Sequence, residues 1–346
     1  MYRLVQRRGI IGLFCLLFVA SSVVPGWAQK DNRFEVSKNL DIFNSLLKEV
    51  EMFYVDSVDV DKTVQRGIEA MLAGLDPYTE YYPEQKTEEL SLMTTGEYGG
   101  IGSLIRQRNN EGGVMIAEPT EGMPADLAGL KPGDLILAID TIDVSKATNS
   151  RVSELLKGVP NTKMVLTIQR PGEKKPRKFE ITRKQITTPQ VTYYGVKNDS
   201  IGYIYLKAFT IKSAQEVKEA FLDLKKNHNI KSLVLDLRGN GGGVLEGAVQ
   251  IVGMFVPKGS EVLSTKGKIK QWDRTYRTST EPLDTVMPLA ILINGGTASA
   301  AEIVSGSLQD MDRAVLVGQR SFGKGLVQAP RDLPYNGKVK ITMSKY

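Results

Sequence analysis

The apolar positions from Val36 onward return at helical spacing: Val36, Leu40, Phe43, Leu47, Val50 and Tyr54, with Asn44, Lys48 and Glu49 between them. A second helical pattern runs through Val60, Val64, Ile68, Met71, Leu72 and Leu75. It ends at Leu75-Asp76-Pro77, where proline blocks continuation. The two predict an amphipathic N-terminal helical region within residues 34–96, suited to pack on the body of the protein or on a second copy of it. From Glu97 the texture changes to short strands and Gly- and Pro-rich turns. These are Gly99-Gly100-Ile101-Gly102, Val114–Ala117, Gly129-Leu130-Lys131-Pro132-Gly133-Asp134 and Leu135–Ile139, then a helix near Asn149–Leu156 and closing strands at Lys163–Gln169 and Arg177–Thr182. Residues 97–183 therefore read as a small β-rich module.

From Ile201 the pattern becomes strand–helix–strand. Ile201–Leu206 is a strand; Ser213-Ala214-Gln215-Glu216 has the spacing of a capping box opening a helix through Val217, Ala220, Phe221 and Leu224. Leu233–Leu237 and Leu289–Asn294 are apolar strands, with a helix over Leu245–Phe255 between them. Thr297 is placed to cap a helix running to Gln309, followed by a strand at Ala314–Gly318. Apolar strands joined by helices mean a buried, mainly parallel sheet over residues 184–346. Val262–Thr278 alternates around Lys266-Gly267 and predicts a hairpin. Ile341–Tyr346 reads as a further strand, so the C-terminal part of the core is expected to be missing. The fold class is thus α/β multidomain.

The first 28 residues stand apart from this pattern. Arg3, Arg7 and Arg8 precede an apolar run of 16 residues from Gly9 to Val24, and Pro25-Gly26-Trp27-Ala28 offers a small-residue exit. That is the form of a secretory signal peptide cut after Ala28, with a retained membrane anchor as the rival, although the run is short for a span. The expected location is therefore outside the cytoplasm, in a periplasm or cell envelope. Cys15 is the only cysteine and lies in that segment. The mature chain is left without disulfides, thiol nucleophiles or Cys-based metal sites. The formal net charge of +6 loses three arginines and no acids with residues 1–28, leaving +3, too little and too scattered for a nucleic-acid partner. His228 is the only histidine and sits in the polar exit of a helix, Lys-Lys-Asn-His-Asn-Ile. Any Ser-His-Asp site or His-ligated metal would have to use it, so the chemistry is expected to need neither metal nor cofactor and to use another base.

Three segments carry candidate chemistry. In Asn294-Gly295-Gly296-Thr297-Ala298-Ser299-Ala300-Ala301-Glu302 a buried strand ends and a serine lands at the start of the next helix. Unpaired N–H groups and the positive end of the helix dipole gather there. Ser299 is then either an exposed nucleophile or a second capping serine. Gly239-Asn240-Gly241-Gly242-Gly243 follows another strand and lets backbone N–H groups approach a ligand. It lacks the spacing of a phosphate loop. Its other use is an oxyanion hole, with one N–H from this loop and one from Ala300. In Ser321-Phe322-Gly323-Lys324-Gly325-Leu326-Val327-Gln328 a lysine stands between two glycines in apolar surroundings. A buried amine loses proton affinity, so Lys324 is the natural base, and Gln328, four residues on, is placed to orient it.

These segments, LRGNGGG, TASAAE and GKGLVQ, jointly resemble the carboxyl-terminal processing (tail-specific) proteases, whose segments read LRxNxGG, TASASE and GKGxVQ. Gly241 replaces the usual proline and Ala301 the usual serine. The resemblance spans Phe34 to Tyr346. It implies a crotonase-like protease core in which Ser299 is the nucleophile, Lys324 the general base and Gln328 its partner, with Gly242 and Ala300 N–H groups as the oxyanion hole. It also maps an acidic residue onto Asp310, which one continuous helix would hold roughly 16 Å from Ser299. The β-rich module resembles a PDZ domain, with Gly100, Ile101 and Gly102 as the loop that binds a terminal carboxylate and the peptide added as a strand. The implied function is a serine endopeptidase that cleaves exported proteins bearing apolar C-terminal tails, through an acyl-enzyme. The implied partners are such substrates, an activating or adaptor protein and a second copy of the chain. A silent PDZ scaffold and a crotonase-like acyl-thioester enzyme are the rivals; the intact Ser299, Lys324 and Gln328 set speaks against the first, the export signal against the second.

Overall fold

The computed structural model describes residues 33–108 and 112–346. The leader read at residues 1–28 lies outside them. The chain divides after Ala70. The first unit holds α1 (Arg33–Phe53) and most of α2 (Val60–Ala73). Asp59 opens α2, its carboxylate accepting from the Lys62 N–H at 3.1 Å, the usual use of a short acidic side chain at a helix start. None of the α1 residues is buried, and Phe34, Leu40 and Phe43 are exposed.

The second unit begins with β1 (Glu80–Tyr82) and α3 (Thr87–Thr95), then enters the β-rich module. Its elements are β2 (Glu97–Gly100), β3 (Ser103–Gln107), β4 (Val114–Pro119), α4 (Pro124–Leu127), β5 (Leu135–Ile139), β6 (Ile142–Asp143), α5 (Asn149–Leu156), β7 (Lys163–Gln169), β8 (Arg177–Thr182) and β9 (Lys184–Thr187). The main sheet runs β3-β4-β5-β7-β8, which leaves β3 at an edge. Ile116, Ile136, Val152, Leu166 and Ile168 from inward-facing positions form its own core. The Gly129–Asp134 turn is closed by the buried Asp134 carboxylate, which accepts from Lys131 N–H at 2.8 Å and pairs with the Arg170 guanidinium at 2.8 Å.

The remaining elements are β10 (Val191–Lys197), β11 (Ile201–Leu206), α6 (Ser213–Asn227), β12 (Ser232–Asp236), α7 (Leu245–Val252), β13 (Glu261–Gly267), β14 (Arg274–Arg277), β15 (Leu289–Ile293), α8 (Ala300–Asp310), β16 (Val315–Gly318), β17 (Leu326–Asp332) and β18 (Lys338–Lys345). The core sheet runs β10-β11-β12-β15-β16, parallel except for β10 against β11. Alternation along β11 turns Ile204 and Leu206 to one face, where they join Phe209, Phe221, Phe255 and Val304 in one buried cluster. Phe221 and Phe255 meet edge to face at 5.5 Å.

Three sequence expectations are corrected here. Ser213 and Glu216 do not form a capping box: Ser213 is buried and donates to Thr210 O, while the Glu216 carboxylate accepts the N–H groups of Gln190 and Val191 at 2.6 and 2.8 Å. A tertiary use for the carboxylate won over the local one. Thr297 does not cap α8; Ser299 occupies that position, and the Thr297 hydroxyl donates to Leu237 O across the sheet. The hairpin over Val262–Thr278 is present as β13 and β14, but Lys266-Gly267 ends the first strand, and the reversal lies at Lys270–Trp272, where Asp273 accepts the Gly267 N–H.

Candidate active site

Parallel pairing of β12 with β15, from Leu233 with Leu289 to Asp236 with Leu292, brings the C-terminal ends of both strands together. In open α/β sheets ligands bind where the loops leave such ends. The glycine loop after β12 and the serine loop after β15 are joined by hydrogen bonds. Asn294 Oδ1 accepts from Gly239 and Gly296 N–H at 2.9 and 3.0 Å. Ala298 N–H donates to Asn240 O at 2.9 Å. The buried Asn240 amide donates to Leu206 O at 2.8 Å. At the root of the loop, the buried Asp236 carboxylate holds Tyr203 Oη at 2.6 Å and the Arg238 guanidinium at 2.6 Å. Burial works against its charge, but Arg238 and Tyr203 outweigh that and hold its pKa below the ordinary value.

Ser299 stands at the N-cap of α8 with φ +56° and ψ −120°, a conformation costly for a residue with a side chain. The N–H of Ala300, at the first helical position, has no acceptor within the helix. Gly242 lies against the serine: a Cβ there would sit 2.7 Å from Ser299 Cβ and 2.9 Å from Ala300 N. Its φ of +93° requires glycine as well. The Gly242 N–H, expected from the family pattern to face an oxyanion, is donated to Asn240 Oδ1 at 2.9 Å. Gly242→Ala is expected to displace the serine, with kcat/KM falling about 100-fold while circular dichroism keeps the native spectrum.

Glu302 joins the serine loop to the lysine loop. Its Oε2 accepts from Ser299 N–H at 2.7 Å and from Lys324 N–H at 2.9 Å; its Oε1 accepts from Ser321 Oγ at 2.7 Å and Gly323 N–H at 2.6 Å. Burial opposes the charge, yet these four donors hold the carboxyl below its usual range. One oxygen thus fixes the backbones of Ser299 and Lys324 side by side. The sequence reading gave Glu302 no role, although its place three residues after Ser299 is that of a capping-box acid.

Lys324 is half-buried, and its pKa is lowered first by loss of solvent and then by the charge of Lys340, against the pull of Glu80 and Asp76. Its Nζ lies over the Tyr78 ring, 4.2 Å from the centroid. The Tyr346 hydroxyl donates to Lys324 O and contacts Ser299; burial, then the Glu302 charge, push that phenol up to about 12. Gln328 is not joined to Lys324 by a hydrogen bond among the described residues: its amide donates to Thr342 Oγ1 at 3.0 Å. Its place in β17, paired with β18, directs it to that neighbour. Asp310 is exposed at the opposite end of α8 from Ser299. His228 follows α6, exposed, 3.8 Å from Asp223.

In the β-rich module, Gly100, Ile101 and Gly102 line a groove with Tyr98, Ile105 and Leu156, between edge strand β3 and α5. Ile101 O and Gly102 O are tied to Ala125 and Thr120 N–H at 2.8 and 2.9 Å.

A PDZ domain profile matches residues 115–170, and the profile of peptidase family S41 matches residues 200–346. The carboxy-terminal-processing protease of Bartonella bacilliformis is 35% identical over 334 residues, covering 96% of this chain and 75% of that protein. The chain belongs to the carboxy-terminal-processing serine proteases. The carboxyl-terminal-processing protease of Synechocystis is also 35% identical, over 81% of this chain and 66% of its own length. A probable CtpA-like serine protease of Staphylococcus aureus is 33% identical, with 61% of its length covered, so the chain spans about two thirds of several curated relatives. Among solved structures, the photosystem II D1 C-terminal processing protease matches with 29% identity, 90% of this chain and 86% of that one covered, at a TM-score of 0.47.

Proposed function

We propose that the protein is an exported endopeptidase that cleaves polypeptides with apolar C-terminal tails, using Ser299 as nucleophile and Lys324 as base. The observation that carries the reading is the shared Glu302 carboxylate, which holds Ser299 and Lys324 by their backbones. Neutral Lys324 Nζ takes the Ser299 proton as Oγ bonds to the scissile carbonyl carbon. The resulting oxyanion is received by Ala300 N–H, with Gly242 N–H, held by Asn240 in the resting site, as second donor. Collapse breaks the C–N bond, the Lys324 ammonium protonates the leaving amine, and water then hydrolyses the acyl-enzyme by the same base. Asp310 touches none of these atoms. A substrate tail would add antiparallel to β3, its carboxylate at Gly100–Gly102. The export signal supports a periplasmic or cell-envelope setting, and the exposed apolar residues of α1 support a second copy or an adaptor as partner.

The full-length protein is tested on peptides that share one cleavable segment and differ in the tail. Free-acid tails ending in apolar residues are expected to be cut at least ten-fold faster than their C-terminal amides or charged-tail versions, with Ser299→Ala as the blank. Equal rates for acid and amide would remove the groove from substrate selection; cleavage by the blank would remove Ser299 from the chemistry.

A further inference from the structure

As the base in the mechanism proposed above, the Lys324 amine takes its proton only when attack begins, so its surroundings must receive a cation that forms during the reaction. Among the described residues, no hydrogen bond holds Nζ: Gln328 is turned to Thr342, and Glu302 takes only the Lys324 backbone N–H. What touches Nζ is the face of Tyr78, at 4.2 Å from its centroid. An aromatic face carries negative charge density and attracts a cation at this range, more strongly where water is excluded.

Tyr78 is itself held in place. It follows Pro77, its N–H donates to Asp76 Oδ1 at 2.7 Å, and the same carboxylate takes the N–H and hydroxyl of Thr79, each at 2.8 Å. Thr79 Oγ1 accepts the Thr342 N–H at 3.1 Å, and Thr342 Oγ1 accepts the Gln328 amide at 3.0 Å. Beyond it β1 pairs with β18, Glu80 opposite Lys340. Gln328 therefore reaches the base indirectly, through Thr342 and Thr79, by fixing the turn that presents the ring.

Resting on the serine-protease reading above, we propose that Tyr78 is a positioning residue for the base: its ring face holds Lys324 Nζ in place and stabilises the ammonium that forms when Ser299 is deprotonated. The titratable groups around the amine are Lys340, which disfavours the ammonium, and Glu80 and Asp76, which favour it, with Glu302 on the lysine backbone and the neutral Tyr346 phenol at Ser299. The ring offsets part of the effect of burial and of Lys340 without supplying a carboxylate, which as a close partner would keep the amine protonated and useless as a base.

The test varies the ring's charge density at constant shape. Tyr78→Phe and a series carrying progressively fluorinated phenylalanine at position 78 are made in the full-length protein, and Lys324 is titrated by NMR of its labelled ε-methylene in the Ser299→Ala background. Phe is expected to leave the Lys324 pKa in place, and full fluorination to lower it by about 0.4–1.5 units, stepwise with fluorine number. With Ser299 present, the acid limb of the kcat–pH profile is expected to move down by the same amount while the plateau falls about 2- to 30-fold. A Lys324 pKa insensitive to fluorination, or one that rises, overturns the proposal. Because the titration needs no turnover, it decides the role of the ring even if the parent cleaves no peptide, an outcome that would count against the protease reading alone.

Discussion

Ser299→Ala and Lys324→Ala are each expected to reduce cleavage of an unfolded protein to background, a loss of about 10⁴- to 10⁶-fold in kcat. On the proposed mechanism nucleophile and base act as one unit, so the double variant is expected to be no worse than either single one. The Lys324 side chain makes no hydrogen bond among the described residues, so its removal is expected to leave the melting temperature nearly unchanged while turnover disappears. The pH dependence has a definite sign. As the proposed base, Lys324 must be neutral in the resting enzyme, and burial with the Lys340 charge lowers its pKa below the ordinary 10.5. Activity is therefore expected to be lost as pH falls through that lowered value and to rise above it, with the limb at lower pH than an exposed lysine would give. Initial rates of the parent and both variants across pH check this. A Lys324→Ala variant with parental activity at neutral pH would show that another group is the base.

Removing the Glu302 carboxylate is expected to damage both stability and turnover. Four donors, from Ser299, Ser321, Gly323 and Lys324, converge on its two oxygens. Glu302→Ala leaves them without the charged acceptor and frees the lysine loop from the serine loop. We expect a loss of about 2–4 kcal/mol of stability and at least a 100-fold fall in kcat from misplacement of Ser299 and Lys324. Glu302→Gln is expected to be nearly as damaging, because the amide supplies one acceptor oxygen and turns its own N–H groups toward donors. The folded-state pKa of Glu302 lies below its ordinary 4.5, so its contribution is present above the unfolded value and is lost as pH falls through the folded one. Denaturant unfolding of parent and Glu302→Gln at neutral and acid pH measures this: the gap between them should narrow in acid. A Glu302→Ala enzyme with parental kcat would show that the two loops hold their places without it.

Most of the longer elements were legible because they depend on local periodicity. The strands at Lys163–Gln169, Arg177–Thr182 and Ile201–Leu206 and the helix at Asn149–Leu156 match the sequence reading residue for residue, since alternating or helically spaced apolar residues must face one core. The short elements were not legible. β1 is three residues long and owes its existence to β18, more than 250 positions away in sequence, and α3 carries only one buried residue to mark a face. Ser299, Lys324 and the glycine loop stand out in the sequence because serine after a strand, lysine between glycines and a glycine run are unusual locally. Asn240, Asn294 and Tyr78 do not, because nothing in their neighbours along the chain says what they will touch; Glu302 is legible only as a capping-box acid for Ser299, and its contacts with Ser321, Gly323 and Lys324 come from the fold.

The residue types available for chemistry are set by the chain alone: one histidine in a polar loop, no cysteine after Cys15, and a serine and a lysine in glycine-bounded turns at strand ends. Their partners come from long-range packing. It assigned Glu216 to the backbone of a strand rather than to its own helix, turned Gln328 to Thr342 rather than to Lys324, and set the ring of Tyr78 against the amine. The reason is physical. Backbone periodicity is fixed by the side chains within a turn or two, whereas a polar side chain takes whichever partner lowers the cost of its burial, and that partner is brought near only when distant strands pair.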